Sequence, residues 1–473
     1  MACFPVALLN SFSWTARLYY PHSLYPNQPN NTHVICTNKM VHSTCQPTLL
    51  RASLSSSNIE IETAKKRTVS TLQELCEGHV PEHIIHRMEE VGYVEPTEVQ
   101  KEALPILFAG CDCVLQAQTG SGKTLAYLLR IFSAINTQRS AIQALIAVPT
   151  RELGIQVTKV ARLLAAKPKE LNCDQKWFTI MALLDGGSLK RHESWLKAEP
   201  PTILIATLGS LTQMLERHIL TLNAMHVLVV DEVDFMFNSS KHVTALRKLL
   251  TSYSSSTYRQ TIFASATIPQ HRRFLYDVVQ QKWTKAGVVH VYLNPIMPMS
   301  SYLHHRFVVC SKGERYEALL SLLKSDEPHS AIVFVGVQSE KLKKAGNAPP
   351  THLVQFLESS LMGFSKISLL EEDMNFNQRA ASLTELRQGG GYLLVATDIA
   401  ARGVDLPETT HIYNFDLPKD AASYLHRAGR TCRKPFSDDK YYATSIITPR
   451  EQFVLRRFEN ELMFTCEQLF LHS

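Results

Sequence analysis

Short apolar runs recur along the chain, each closed by turn-forming residues and separated by longer amphipathic stretches. Six stand in the first part: CDCVLQA, ALIAVPT, FTIMALL, TILIAT, HVLVVDE and TIFASAT. Five more follow a break rich in proline and serine (NPIMPMSS, residues 294–301): HHRFVVC, AIVFVGV, KISLL, YLLVATD and HIYNFD. The runs are continuous rather than alternating, as in strands buried on both faces. Strands alternating with helical stretches predict parallel sheets covered by helices, an α/β fold. Two series with a break between them predict two such domains, over residues 70–295 and 304–473, joined by a linker at 296–303. The polar stretch SEKLKKAGNAPPTH (339–352), broken by two prolines, reads as a surface loop.

Residues 1–59 stand outside this pattern. They contain no Asp or Glu, but hold Arg17, Lys39, Arg51, eight serines and five threonines. That composition is closer to an organelle transit peptide than to an ordinary disordered tail, which carries more charge. We read residues 1–65 as a transit peptide. Abundant Ser and Thr with scarce Arg point to the chloroplast, with the mitochondrion as the alternative.

The remaining composition narrows the picture less. The chain has 473 residues, 45% of them apolar, and a formal net charge of +6. Such a charge permits a polyanion partner without demanding one. No apolar run approaches the ~20 residues of a membrane span, so no membrane partner is expected. The ten cysteines are scattered. Only Cys111 and Cys113 lie close, as an i, i+2 pair on one side of a strand, and no second pair completes a zinc site. They read as reduced thiols packed as small apolar groups.

The candidate chemistry begins after the first run, at AQTGSGKT (117–124). It ends in the G-K-T of a phosphate-binding loop between strand and helix. Gly120 and Gly122 let the backbone turn its N–H groups toward phosphate oxygens. Ala117 stands where the looser pattern has its first glycine; Gln118, Thr119 and Ser121 complete the loop. Lys123 can reach the β and γ phosphates, Thr124 can hold Mg²⁺, and the following helix points its positive end at the anion. A nucleoside triphosphate with Mg²⁺ is the implied ligand. A later run ends in DEVD (231–234). Acids often end a strand in solvent, but beside GSGKT they acquire roles: Asp231 for the metal, directly or through water, and Glu232 for the attacking water. DEVD is also a caspase cleavage string, a reading excluded by its place at a buried strand end. Val233 is β-branched, extends the strand comfortably, and carries no chemistry.

With these motifs in order, the chain resembles the DEAD-box family of ATP-dependent RNA helicases, and most of all a plastid-targeted plant member. The resemblance runs from about residue 72 to 433. GYVEPTEVQ (92–100) is similar to the Q motif, AQTGSGKT to motif I, PTRELGIQ (149–156) to motif Ia, and Gly186-Gly187 to the GG pair. DEVD matches motif II, with Val233 in place of the usual alanine. SAT (265–267) matches motif III, IVFVGV (332–337) motif IV, VATDIAARGVD (395–405) motif V and HRAGRTCR (426–433) motif VI. The implied fold is two tandem RecA-like domains with a cleft between them.

The resemblance also implies roles. Gln100 reads the adenine edge with its carboxamide, and Tyr93 packs that pocket. Arg430 and Arg433 reach across the cleft as arginine fingers, and Asp405 contacts the nucleotide. Asp234 links through Ser265 and Thr267 to His426 and Arg427 on the other domain. RNA crosses both domains on Pro149, Thr150, Arg151, Gly187, Thr207, Arg379, Thr397 and Asp398, contacts that position a strand without reading its sequence. The implied activity is RNA-stimulated ATP hydrolysis coupled to domain closure and local unwinding of short duplexes, by a monomer whose protein partners are left open. Departures gather on the RNA side. The usual T-P-G-R is TLGS (207–210), the usual H-G is Glu371-Glu372, the following Gln is Phe376, and motif VI carries Cys432 in place of Gly. Near Leu72 an adenine-side aromatic is missing. These favour, as the rival reading, an ATP-gated RNA clamp or scaffold with weak unwinding. A DNA translocase is disfavoured by the Q motif and SAT.

Overall fold

The computed structural model describes residues 71–470, apart from 168–175, 187–188, 239, 254, 269–273, 294–301, 337–349, 362–366, 372–373, 389–390, 402–403, 405 and 433–439. The proposed transit peptide, Gly187, Glu372, Asp405 and Arg433 lie outside the described residues, as does the side chain of Phe376.

The strands form two seven-stranded sheets in which every pair is parallel. The first is built from β1 (Cys113–Gln116), β2 (Ala144–Val148), β3 (Ile180–Leu183), β4 (Ile203–Thr207), β5 (Val227–Asp231), β6 (Gln260–Ser265) and β7 (Val289–Tyr292). The second has β8 (Leu303–Val309), β9 (Ser330–Phe334), β10 (Ile367–Leu370), β11 (Tyr392–Ala396), β12 (His411–Asn414), β13 (Tyr441–Ile447) and β14 (Cys466–Leu469). Their orders are β3-β4-β2-β5-β6-β1-β7 and β10-β11-β9-β12-β13-β8-β14. Subtracting seven from each label of the second order gives the first, so the two halves share one topology. Helices cover both faces of each sheet, giving two apolar clusters per half. The α/β tandem of RecA-like halves expected from the sequence is the fold observed.

All eleven apolar runs contain a strand. The remaining three strands lack that signature for physical reasons. VHVY and CEQL are four-residue edge strands with partly exposed side chains. β13 buries polar groups that find partners: Thr444 accepts from Arg306, and Ser445 accepts from Asn414. Four local readings change. Cys111 precedes the strand and only Cys113 lies in it, where burial pushes the thiol up to about 12. β8 begins at Leu303, inside the span read as linker. Pro350 opens the helix Pro350–Ser360 rather than closing a loop, a place where its missing N–H costs nothing. Val233 does not extend β5; it is the first residue of the helix Val233–Asn238, fully buried among apolar side chains.

Candidate nucleotide and RNA site

In parallel α/β sheets, functional groups collect beyond the carboxyl ends of the strands. The motif residues of the first half sit there, after Gln116, Val148, Thr207, Asp231 and Ser265. The loop after β1 turns through Gly120 and Gly122 with φ of 81° and 93°, values that L side chains strain to adopt. At Gly122 an added Cβ would also stand 2.5 Å from Gln100 Nε2. The glycine is therefore needed for both conformation and space.

Gln100 belongs to a capping box on the helix Glu98–Phe108. Its Oε1 accepts from the Thr97 N–H at 2.9 Å, and its Nε2 donates to the Gly122 carbonyl at 3.3 Å. Its residual donor and lone pair remain for a nucleobase edge. Tyr93 packs against the apolar cluster beneath. Leu72 is fully buried in that same cluster. Lys123 lies at the start of the helix Lys123–Ala134, with Nζ donating to the carbonyls of Ala117 and Gln118 at 2.6 and 2.7 Å. Burial lowers its pKa, and Glu232, Asp231 and Asp234 push it back up.

β5 ends on Asp231, and Glu232 follows with φ 49°. Asp231 Oδ1 accepts the Glu232 N–H at 2.9 Å, and its Oδ2 accepts the Tyr127 hydroxyl at 2.8 Å. Burial, followed by the neighbouring Glu232, raises the Asp231 carboxyl to about 6. Glu232 Oε2 is buried with no hydrogen-bond partner. A Thr hydroxyl and an Asp carboxylate are hard oxygen donors of the kind Mg²⁺ takes, so the residues fit that ion. Asp234 accepts from Ser265 Oγ on Oδ1 and from Thr267 Oγ1 on Oδ2, each at 2.7 Å.

The second half meets this site directly. His426 Nε2 lies 3.0 Å from Asp234 Oδ2, and both side chains are buried. An added Cβ on Gly429 would stand 3.9 Å from Thr119 Oγ1, so the turn after the helix Ala421–Ala428 rests on the phosphate loop. Arg430 is buried, donates to the Val404 carbonyl at 3.0 Å, and lies close enough to Lys123 to lower its pKa. Arg427 is held by its own half instead: Nε donates to Asp398 Oδ1 at 2.6 Å, and Nη1 to Asn414 Oδ1 and the Asp416 carbonyl. It braces the helix that carries His426.

The described residues expected on RNA are held by contacts of their own. Pro149 is buried, and Thr150 caps the helix Arg151–Leu164 by accepting the Leu153 N–H at 3.3 Å. Arg151 donates to the Asp185 carbonyl. Thr207 Oγ1 accepts the Asp185 N–H at 3.2 Å, and Ser210 Oγ donates to Asp185 Oδ1 at 2.8 Å. TLGS thus replaces an expected arginine with a serine that ties down the segment leading into the glycine pair. Thr397 is buried beside Asp398, which is engaged by Arg427. Arg379 reaches into the other half, its Nε 3.0 Å from Glu152 Oε1.

Tyr127 and Asp185 lie outside every quoted motif, and Glu152 lies inside PTRELGIQ with no role assigned to it. Tyr127 carried a readable signal, because it lies three residues after Thr124 on one helix and so shares its face. Asp185 and Glu152 carried none, since their partners come from distant segments.

Residues 97–274 match the DEAD/DEAH box helicase family, and residues 314–435 match the helicase conserved C-terminal domain. The chain is 64% identical over 418 residues to "DEAD-box ATP-dependent RNA helicase 58, chloroplastic" of Arabidopsis thaliana, covering 88% of each protein. It is 61% identical to the protein of that name in Oryza sativa subsp. japonica, covering 86% of this chain and 91% of that one. Among solved structures, S. cerevisiae Dbp5 bound to RNA and ADP BeF3 shares the fold, with a TM-score of 0.71, 21% identity, and coverage of 85% of this chain and 95% of that one. Matches of this extent and identity establish that the chain belongs to the DEAD-box family of ATP-dependent RNA helicases.

Proposed function

We propose the following division of labour for this chloroplast ATP-dependent RNA helicase. The loop 117–124 seats the phosphates of ATP, with Lys123 against the β and γ groups. Gln100 and Tyr93 receive the adenine side. Thr124 and Asp231 hold Mg²⁺, which when bound neutralises charge on the phosphates. Glu232 orients the attacking water; its partnerless buried oxygen supports that role. Arg430, with Arg433 and Asp405, completes the seat from the second half and stabilises charge on the transferred phosphoryl group.

RNA lies across Pro149, Thr150, Arg151, Gly187, Thr207, Arg379, Thr397 and Asp398. The observation that carries the coupling is the contact between His426 and Asp234. Asp234 stands three residues from Asp231, and His426 stands four residues from Arg430. A change at the phosphates therefore reaches the fit of the two halves, and with it the grip on a strand laid over both.

The Arg151–Asp185 and Arg379–Glu152 contacts occupy groups expected on RNA. The deciding measurement is ATP turnover with and without RNA, beside strand separation on a short duplex. RNA-stimulated turnover with separation is expected. Stimulated turnover without separation would favour the clamp, and turnover indifferent to RNA would overturn the coupling.

A further inference from the structure

The helix Lys123–Ala134 brings a phenol to the centre of the proposed metal site. Tyr127 is fully buried, on the helix face that also carries Thr124. Its O–H donates to Asp231 Oδ2 at 2.8 Å, and it stands one helical turn from Thr124. Thr124 comes from the first turn of a helix and Asp231 from the end of β5, 107 positions later in the sequence. We infer that Tyr127 is a positioning residue: its hydroxyl ties the Asp231 carboxylate to the helix that carries Thr124, so that the two residues face the cation of the nucleotide before it arrives.

The chemistry favours this role over simple packing. A phenylalanine would fill the same space, so the hydroxyl needs a reason to be buried there. An isolated phenol in an apolar interior is costly unless hydrogen-bonded, and this one donates to Asp231. The bond takes one lone pair of Asp231 Oδ2 and leaves others for a cation. Mg²⁺ demands near-ideal octahedral geometry and tolerates misplaced ligands poorly. Groups that orient metal ligands in this way typically change metal affinity 10–100-fold when removed.

The inference rests on Thr124 and Asp231 being the metal-holding pair. The test uses the full chain and a fluorescent ADP, titrated first in EDTA and then with increasing free Mg²⁺. Tyr127→Phe is expected to bind the nucleotide in EDTA as the parent does, and to need about tenfold more Mg²⁺ to reach its half-maximal gain in affinity. Thermal melting checks its fold. Tyr127→Met, whose flexible side chain fills most of the ring's space without a donor, gives the same reading should the Phe variant accumulate poorly. An unchanged Mg²⁺ midpoint, or an equal loss in EDTA and in Mg²⁺, overturns the positioning role. Asp231→Asn separates the two levels. If it shifts the Mg²⁺ midpoint while Tyr127→Phe does not, Tyr127 alone is misassigned. If neither shifts it, the metal-holding pair is wrong and the inference falls with it.

Discussion

His426 Nε2 and Asp234 Oδ2 lie 3.0 Å apart, the histidine fully buried and the aspartate 1% exposed, on opposite halves of the chain. Asp234 also takes Ser265 and Thr267, so its carboxylate is a junction at which groups of both halves meet.

His426→Ala removes that junction and leaves a buried carboxylate short of one partner. ATP binding should persist, because the phosphate loop is untouched. RNA stimulation of ATPase should fall at least tenfold, in line with the ~1.5–3 kcal/mol of a hydrogen bond to a charged group. Parallel nucleotide-binding and RNA-stimulated turnover assays check it; stimulation at the parent level would remove His426 from the coupling.

Glu232→Gln keeps shape and hydrogen-bonding capacity but removes the charge that draws a proton from water. Hydrolysis should slow by about 10²–10⁴, with ATP affinity little changed. Single-turnover measurements separate the two, and a parent-like rate would mean that another group activates the water.

Asp185→Asn keeps an acceptor for Ser210 while removing a negative charge beside Arg151. Short single-stranded RNA should bind about threefold more tightly at low salt, and the gain should shrink as salt rises. Fluorescence anisotropy at two ionic strengths reads this directly. No gain at low salt would move the RNA path away from Asp185.

Val233→Ala opens space in a fully buried position at the start of a helix. Loss of two methyl groups should cost about 2 kcal/mol of stability, seen in urea unfolding, while ATP turnover stays within twofold. A large fall in turnover with stability intact would give this valine a part in the chemistry.

In the second half, burial lowers the pKa of His305 from 6.5 to about 3 and that of His411 from 6.5 to about 4. Below pH 6.5 the unfolded chain takes up protons that the folded one refuses. Stability should therefore fall as pH drops from about 6.5 toward 4, and be fully present above 6.5. Denaturant midpoints at pH 7 and pH 5 test this, and His305→Leu should flatten the difference.

Sequence legibility followed the range of the interaction. GSGKT, DEVD and the apolar strands are local patterns, and each was readable because neighbouring residues supply the whole signal. Ser210 looked like a lost arginine; it became a partner only when β3 and β4 brought Asp185 beside it, 25 residues away in sequence. Tyr127 and Asp231 are separated by 104 residues, and no period or spacing connects them. Arg379 carries a charge suited to phosphate, and only the docking of the two halves gives it Glu152. Val233 was misplaced by a single residue's geometry: the left-handed turn at Glu232 ends the strand before the valine is reached.

The two sheets share one strand order, yet their first strands lead to different ends. β1 opens into a glycine-rich cradle. Its counterpart, β8, opens into CSKGE and then Arg315, whose guanidinium is already taken by Asp416 and Glu451. Internal carboxylates thus satisfy in one copy the kind of charge that the other copy offers to a visitor. A duplicated architecture has become asymmetric in its chemistry: the same strand position leads to a glycine-rich loop in one half and to an internally paired arginine in the other.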